Sequence, residues 1–166
     1  MGSGLQLYVT DSNVWVDLHL GRLVEKAFLM PIRFAAPDVI IEELVRPSGA
    51  DLVACGLRVE ELSGEQVLNV ADLAARYLRP SRQDLFALVL AETLGATLLT
   101  GDGALREAAR EMGVEVHGTI WLLDQMMAHG IIDGQKRAQA LRLMIDSGSR
   151  LPKDEVESRL DEDRNW

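Results

Sequence analysis

Cysteine is nearly absent from this chain: Cys55 stands alone among 166 residues. A single thiol cannot close an internal disulfide, and such usage points to a reducing, cytoplasmic setting. Long apolar runs are missing as well. The longest clean one, Phe86 to Ala91, is far shorter than the roughly 20 residues a helix needs to cross a bilayer. The opening Met1-Gly2-Ser3-Gly4 has neither the positive charge nor the apolar stretch of a secretory leader, so none is expected. Basic residues are scarce: 17 Lys and Arg face 26 Asp and Glu, a net charge of −9. That balance argues against a phosphate-binding surface unless metal cations or a local basic patch offset it. His19, His117 and His129 are scattered and no cysteine pair exists, which leaves a zinc site without support. Gly101-Asp102-Gly103 is not followed by Gly-Lys-Ser/Thr, so it is no phosphate-binding loop. No Asp-x-Asp pair follows the first strand, which disfavours a phosphatase-like hydrolase. There is no internal repeat, low-complexity tract or linker. What remains is 48% hydrophobic and 26% charged, the balance of one folded domain with a good core.

The pattern along the chain alternates between strand and helix. Leu5 to Val9 reads as strand one, and Thr10-Asp11-Ser12-Asn13 supplies helix-capping residue types ahead of a helix from Val14 to Leu20. Arg22 to Met30 reads as a short helix, Ile32 to Ala35 as strand two, and Asp38 to Arg46 as a helix stopped by Pro47. Ala50 to Ala54 is a brief helix and Leu57 to Leu62 is strand three. In the helix Glu65 to Leu78, spacing sets Leu68, Ala71, Ala75 and Leu78 on one apolar stripe. Ser81 to Leu94 is the clearest helix, closed by Gly95. Ala96 to Thr100 is strand four, Ala104 to Met112 a helix, and Val114 to Val116 strand five. Helices over Thr119 to His129, Gly134 to Ile145 and about Pro152 to Leu160 complete the chain. The acidic stretch Asp154 to Asp163 reads as a solvated helix or frayed end. Strands separated by helices predict a parallel sheet covered on both faces.

Ligands of such sheets sit beyond the carboxyl ends of the strands. Leu99-Thr100-Gly101-Asp102-Gly103 lies at such an end. Asp11 ends strand one in the same way, and Asp84 opens the helix that leads into strand four. Each acid also has a purely structural explanation. Asp11 and Asp102 are good helix N-caps, and Ser81-Arg82-Gln83-Asp84 resembles a capping box. Glu42 and Glu43 lie off the apolar stripe of their helix, as solvated glutamates do. Taken together, three or four carboxylates at one sheet edge repel one another, and a cation relieves that repulsion. Oxygen-only ligands select hard ions such as Mg²⁺ or Mn²⁺, which can activate water against a phosphodiester. Arg76, Arg79 and Arg82 flank this edge across Pro80, either as ordinary solvated charge or as phosphate contacts. Trp15 is read as core or interface.

The ordered set Val9-Thr10-Asp11-Ser12-Asn13-Val14, Pro37-Asp38-Val39-Ile40-Ile41-Glu42-Glu43-Leu44, Ser81-Arg82-Gln83-Asp84-Leu85 and Ala96-Thr97-Leu98-Leu99-Thr100-Gly101-Asp102 resembles the PIN domain, the ribonuclease fold of VapC-type toxins. Gly118-Thr119-Ile120-Trp121-Leu122-Leu123 and His129-Gly130-Ile131-Ile132 resemble a subgroup with an extended helical C-terminus, here residues 118–166 of a single domain spanning 1–166. The resemblance implies a three-layer α/β/α fold with a parallel five-stranded sheet of order 3-2-1-4-5. It implies a Mg²⁺- or Mn²⁺-dependent endoribonuclease, a hydrolase of single-stranded RNA. Asp11, Glu43 (rather than Glu42), Asp84 and Asp102 would be the catalytic and metal-binding residues, and Asn13 and Thr100 supporting polar groups. It further implies a toxin held by a cognate antitoxin, and a homodimer. The apolar stripes of the helices at Glu65 to Leu78 and Thr119 to His129 also suggested self-association. Gly101, ahead of Asp102, departs from relatives that often carry a polar or acidic residue there. The alternative reading is a catalytically inactive PIN-like scaffold that binds a protein partner and whose acids are caps.

Overall fold

A computed structural model of the chain describes residues 4–164. Five strands, β1 (Gln6–Thr10), β2 (Ile32–Pro37), β3 (Arg58–Glu60), β4 (Thr97–Leu99) and β5 (Val116–His117), form one sheet of order β3-β2-β1-β4-β5. Every pairing is parallel, with helices on both sides of the sheet. This is the expected order. It sets β1 between β2 and β4, with Val9 opposite both Ala35 and Leu98. Strands buried on both faces read as continuous apolar runs, and the three residues of β4 are all buried.

Ten helices connect and cover the sheet among the described residues: α1 (Ser12–Leu20), α2 (Val24–Ala27), α3 (Asp38–Glu43), α4 (Gly49–Cys55), α5 (Gly64–Arg76), α6 (Arg82–Leu94), α7 (Gly103–Glu111), α8 (Thr119–Ala128), α9 (Gly134–Asp146) and α10 (Lys153–Asp163). None is long and apolar enough to cross a membrane. The capping signals act as anticipated. Ser81 and Asp84 form a reciprocal capping box, and Gly95 closes α6 in the left-handed conformation that glycine adopts without strain. A core of α6 residues from Leu85 to Ala91 lies against β1 and β2. Trp15 belongs to the core, fully buried. Its ring stacks on Phe28 at 5.2 Å and meets Phe34 edge-on at 5.1 Å, and its Nε1 donates to the Thr10 hydroxyl at 2.6 Å.

Several local expectations are corrected. Helix α3 stops at Glu43 instead of running to Arg46: Leu44 is already extended. The chain then doubles back so closely that a Cβ on Gly49 would lie 2.6 Å from the Ile41 carbonyl oxygen. Helix α2 is shorter than Arg22 to Met30, because Arg22 takes a positive φ of 60° and Pro31 forces the chain before it out of helix. Strand β5 lies two residues later than expected at its start, since Val114 bonds back to Ala109 at the end of α7. The apolar stripe of α5 is not the one predicted. Val70 is buried, and Val67, Leu73, Ala74 and Tyr77 pack against the core, while Leu68 and Leu78 are 68% and 84% exposed. Two apolar rows run along α5 one residue apart, and the row with the bulkier side chains faces inward. The acidic C-terminal stretch is a helix with most of its acids solvated, as expected, but it is not a frayed end. Val156 and Asp163 of α10 are buried, and Asp163 pairs with Arg137 of α9.

Candidate functional site

Three helices begin at the carboxyl edge formed by β1 and β4, and an acid sits at the N-cap or in the first turn of each. Asp11 is the N-cap of α1: one carboxylate oxygen accepts from the Val14 amide at 3.1 Å. The other accepts the Thr100 hydroxyl hydrogen. Asp102 is the N-cap of α7, accepting from the Leu105 amide at 2.9 Å. Asp84 accepts from the Ser81 amide at 3.1 Å through Oδ2. Thr100 joins two of them, since its hydroxyl also accepts from the Asp102 amide at 3.0 Å. The structural readings of all three acids are therefore correct: each is a cap. That does not exhaust them. The caps engage Oδ2 of Asp84 and Oδ1 of Asp102, leaving the other oxygen of each, and a carboxylate oxygen accepts more than one bond.

The electrostatics of the edge are those of crowded acid. Asp11 has no exposed surface. Burial pushes its carboxyl up from 3.8 to about 7 against the Thr100 and Val14 hydrogen bonds, and the charges of Asp84 and Asp17 push it further. Burial also raises Asp84 against its Ser81 hydrogen bonds, with the charge of Asp102 adding to the effect. Asp11, Asp84 and Asp102 thus feel one another, as the chain order required.

The remaining candidates are placed less tightly. A hollow of about 590 Å³ opens at this edge, walled by Asn13, Asp17 and Asp102 and by the 147–150 turn. Asn13 is exposed there. Glu43, the last residue of α3, is exposed and lines a separate, shallower depression beyond Val16. Arg76, Arg79 and Arg82 are all exposed. Arg76 lies over the Tyr77 ring, and Arg79 approaches Glu107 of α7 at 3.6 Å.

Asp17 was missed in the sequence. Its carboxylate accepts from Thr119 at 2.9 Å and Ser149 at 2.8 Å, tying α1 to α8 and to the turn after α9. Burial raises its pKa against those two bonds. The available signal was a lone acid between Val16 and Leu18 on a helix whose neighbours are apolar.

The donor set can be tested against a divalent cation. All the ligating atoms on offer are hard carboxylate or hydroxyl oxygens, and the acids already raise one another's pKa, which a cation would reverse. In kind and charge the set fits. Among the described residues, however, no three Asp, Glu, His or Cys side chains stand close enough together to enclose an ion. Ligand closure therefore requires a side-chain rearrangement.

An all-parallel α/β sheet with acids gathered at its central strand ends defines the class. The chain belongs to the PIN-domain family: the family model DUF3368, a PIN domain, matches residues 7–164. Among solved structures, the chain is similar to a PilT N-terminus domain protein from the hyperthermophilic archaeon Sulfolobus solfataricus. The TM-score is 0.54 at 14% identity, over 73% of this chain and 93% of that one. No curated sequence matches. PIN domains are generally nucleases, which are hydrolases, and generally use divalent metal ions.

Proposed function

We propose that this PIN domain is a Mg²⁺- or Mn²⁺-dependent endoribonuclease acting on single-stranded RNA. The observation that carries the reading is the convergence of Asp11, Asp84 and Asp102 at the strand ends of β1 and β4, where the charge of Asp84 raises the pKa of Asp11 and that of Asp102 raises Asp84. Asp84 and Asp102 would hold the cation directly, with Asp11 beneath them and Glu43 joining by a movement of the α3 end. Bound there, the cation would supply Lewis acidity toward water and toward the phosphate oxygens. The chain's own residues do the positioning. Thr100 orients Asp11 and fixes the start of α7, and the helix N-termini of α1 and α7 favour negative charge at the edge. Asn13, at the rim, can orient substrate. A role as a toxin with a cognate antitoxin, and homodimer formation, belong to the same proposal and rest on the family resemblance.

One observation favours a second reading, that of a non-cleaving scaffold: all three aspartates are engaged in capping helices. A single experiment separates the two. Purified protein is expected to cleave single-stranded RNA in Mn²⁺ and to lose that activity in chelator. Asp11→Asn, which retains a capping residue, should slow cleavage about 100-fold or more. Wild-type protein without cleavage in Mn²⁺, or equal cleavage by both proteins, favours the scaffold.

A further inference from the structure

A second hollow opens on the far side of Gly101, which it shares with the acidic one. It measures about 170 Å³ and lies between the start of α7, the β5–α8 corner and the turn leading into α10. In a chain of net charge −9, three arginines line it, Arg106, Arg150 and Arg159, against two acids, Asp124 and Glu155. Arg106 lies beside Gly118, close enough that a Cβ there would be 3.5 Å from its Nη1. The Nε of Arg106 is buried with no hydrogen-bond partner among the described residues. Leaving a buried guanidinium N–H unpaired is costly, and an acceptor brought to Arg106 would relieve that cost. Arg150 is exposed and lines both hollows.

Aromatic rings stand on the same wall. His117 stacks on Trp121 with centroids 4.1 Å apart and planes 7° from parallel. Trp121 in turn meets Tyr8 of β1 at 5.5 Å. The row runs from β1 through Trp121 of α8 to His117 on the edge strand β5, whose side chain is 29% exposed and approached by Glu115 at 3.3 Å. A stacked ring with an open side accepts another planar ring, and a nucleobase is one. Asp124 and Arg159, also on the wall, pair with each other at 2.8 Å and contribute little net charge.

We infer that this hollow is a nucleotide subsite: Arg106 and Arg150 hold one phosphate of single-stranded RNA beside the acidic edge, and the adjoining base stacks on His117. The inference rests on the nuclease reading for its substrate class but assigns residues outside the acidic set. It explains how an acidic protein approaches RNA, since the local basic pair lies next to the carboxylates.

The test is fluorescence anisotropy of the full chain with a short fluorescein-labelled single-stranded RNA in chelator, where cleavage is off, over a range of salt. Arg106→Gln should weaken binding about tenfold, the loss of a charged hydrogen bond to phosphate. It should also make the slope of log K against log salt about 0.7 shallower. Arg150→Gln, a surface change that leaves the core untouched, should show the same loss of slope. His117→Ala should weaken binding about fivefold or more with the slope unchanged, and His117→Phe should restore it. Wild-type affinity and slope in Arg150→Gln and in folded Arg106→Gln would overturn the inference, as would wild-type protein that binds no RNA. Cleavage in Mn²⁺ is scored separately. RNA binding that depends on these residues without any cleavage keeps the subsite and rejects the nuclease. Cleavage with unaltered binding by the variants rejects the subsite and keeps the nuclease.

Discussion

Asp11 carries a pH dependence whose sign follows from its burial. Its folded pKa of about 7 lies above the ordinary 3.8. Between those values the folded state binds more protons than the unfolded one, so this residue's contribution to stability falls as pH rises. The full gap corresponds to on the order of 4 kcal/mol. Asp17 and Asp84 are raised as well and act in the same direction. Asp11→Asn removes the largest of these effects while retaining a capping side chain. In chelator the variant should therefore gain stability relative to wild type as pH rises from about 5 to about 8. Urea unfolding of both proteins across that range checks this, and a constant difference would mean that Asp11 is not held protonated by the fold. The residue scale also shows that the structural explanation the sequence offered for these acids holds: Asp11 and Asp102 are N-caps, and Asp84 completes the Ser81 capping box. It shows a limit of that reading as well: α3 ends at Glu43, short of the expected Arg46, because Leu44 is already extended.

At the scale of elements, α8, α9 and α10 are held together by one buried cation. Arg137 donates to both oxygens of Asp163 at 2.9 and 2.7 Å, to Asp124 at 2.7 Å and to Glu162 at 2.9 Å. Burial opposes its charge, yet these partners hold its pKa above the ordinary arginine range. Asp124 then passes the connection to Arg159 of α10. A desolvated network of this kind need not add net stability, but removing its centre leaves Asp163 buried and uncompensated. Arg137→Ala should cost about 3–5 kcal/mol, a fall in Tm of roughly 6–20 °C for a domain of this size. A loss below about 1 kcal/mol would show that α10 is not anchored through this residue. The network was not legible in the sequence, because the acidic run at the C-terminus carries no sign of which acid faces inward.

For the whole molecule, of the two apolar stripes that point to a homodimer only that of α5 is left exposed. The apolar residues of α8 are spent inside the fold, with Ile120, Leu122, Leu123 and Met126 buried. Leu68, Ala71 and Ala75 of α5 remain exposed, with Leu78 just beyond the helix end at Arg76, and exposed apolar rows mark association surfaces. A symmetric dimer through this row would place each copy's α5 against its partner's. Light scattering at micromolar concentration should give a dimer mass for wild type and a monomer mass for Leu68→Glu. A wild-type monomer would remove the dimer from the proposed function.

Strand and helix order, the capping boxes and the family were all determined by the sequence alone, because they depend on neighbours within a few residues and on motifs in a fixed order. The sheet order followed from the family resemblance, and the registers of β1 with β2 and β4 bear it out. Tertiary structure decided the rest. Which of two apolar rows on α5 turned inward depended on the volume of the core it met. Asp17, Arg106 and Asp163 acquired their surroundings only when α8, α9 and α10 closed over α1 and the sheet. Their partners lie many residues away, as Ser149 lies 132 residues from Asp17. A side chain's charge is written in the sequence; whether it is solvated, paired or left open to a ligand depends on what the fold packs against it.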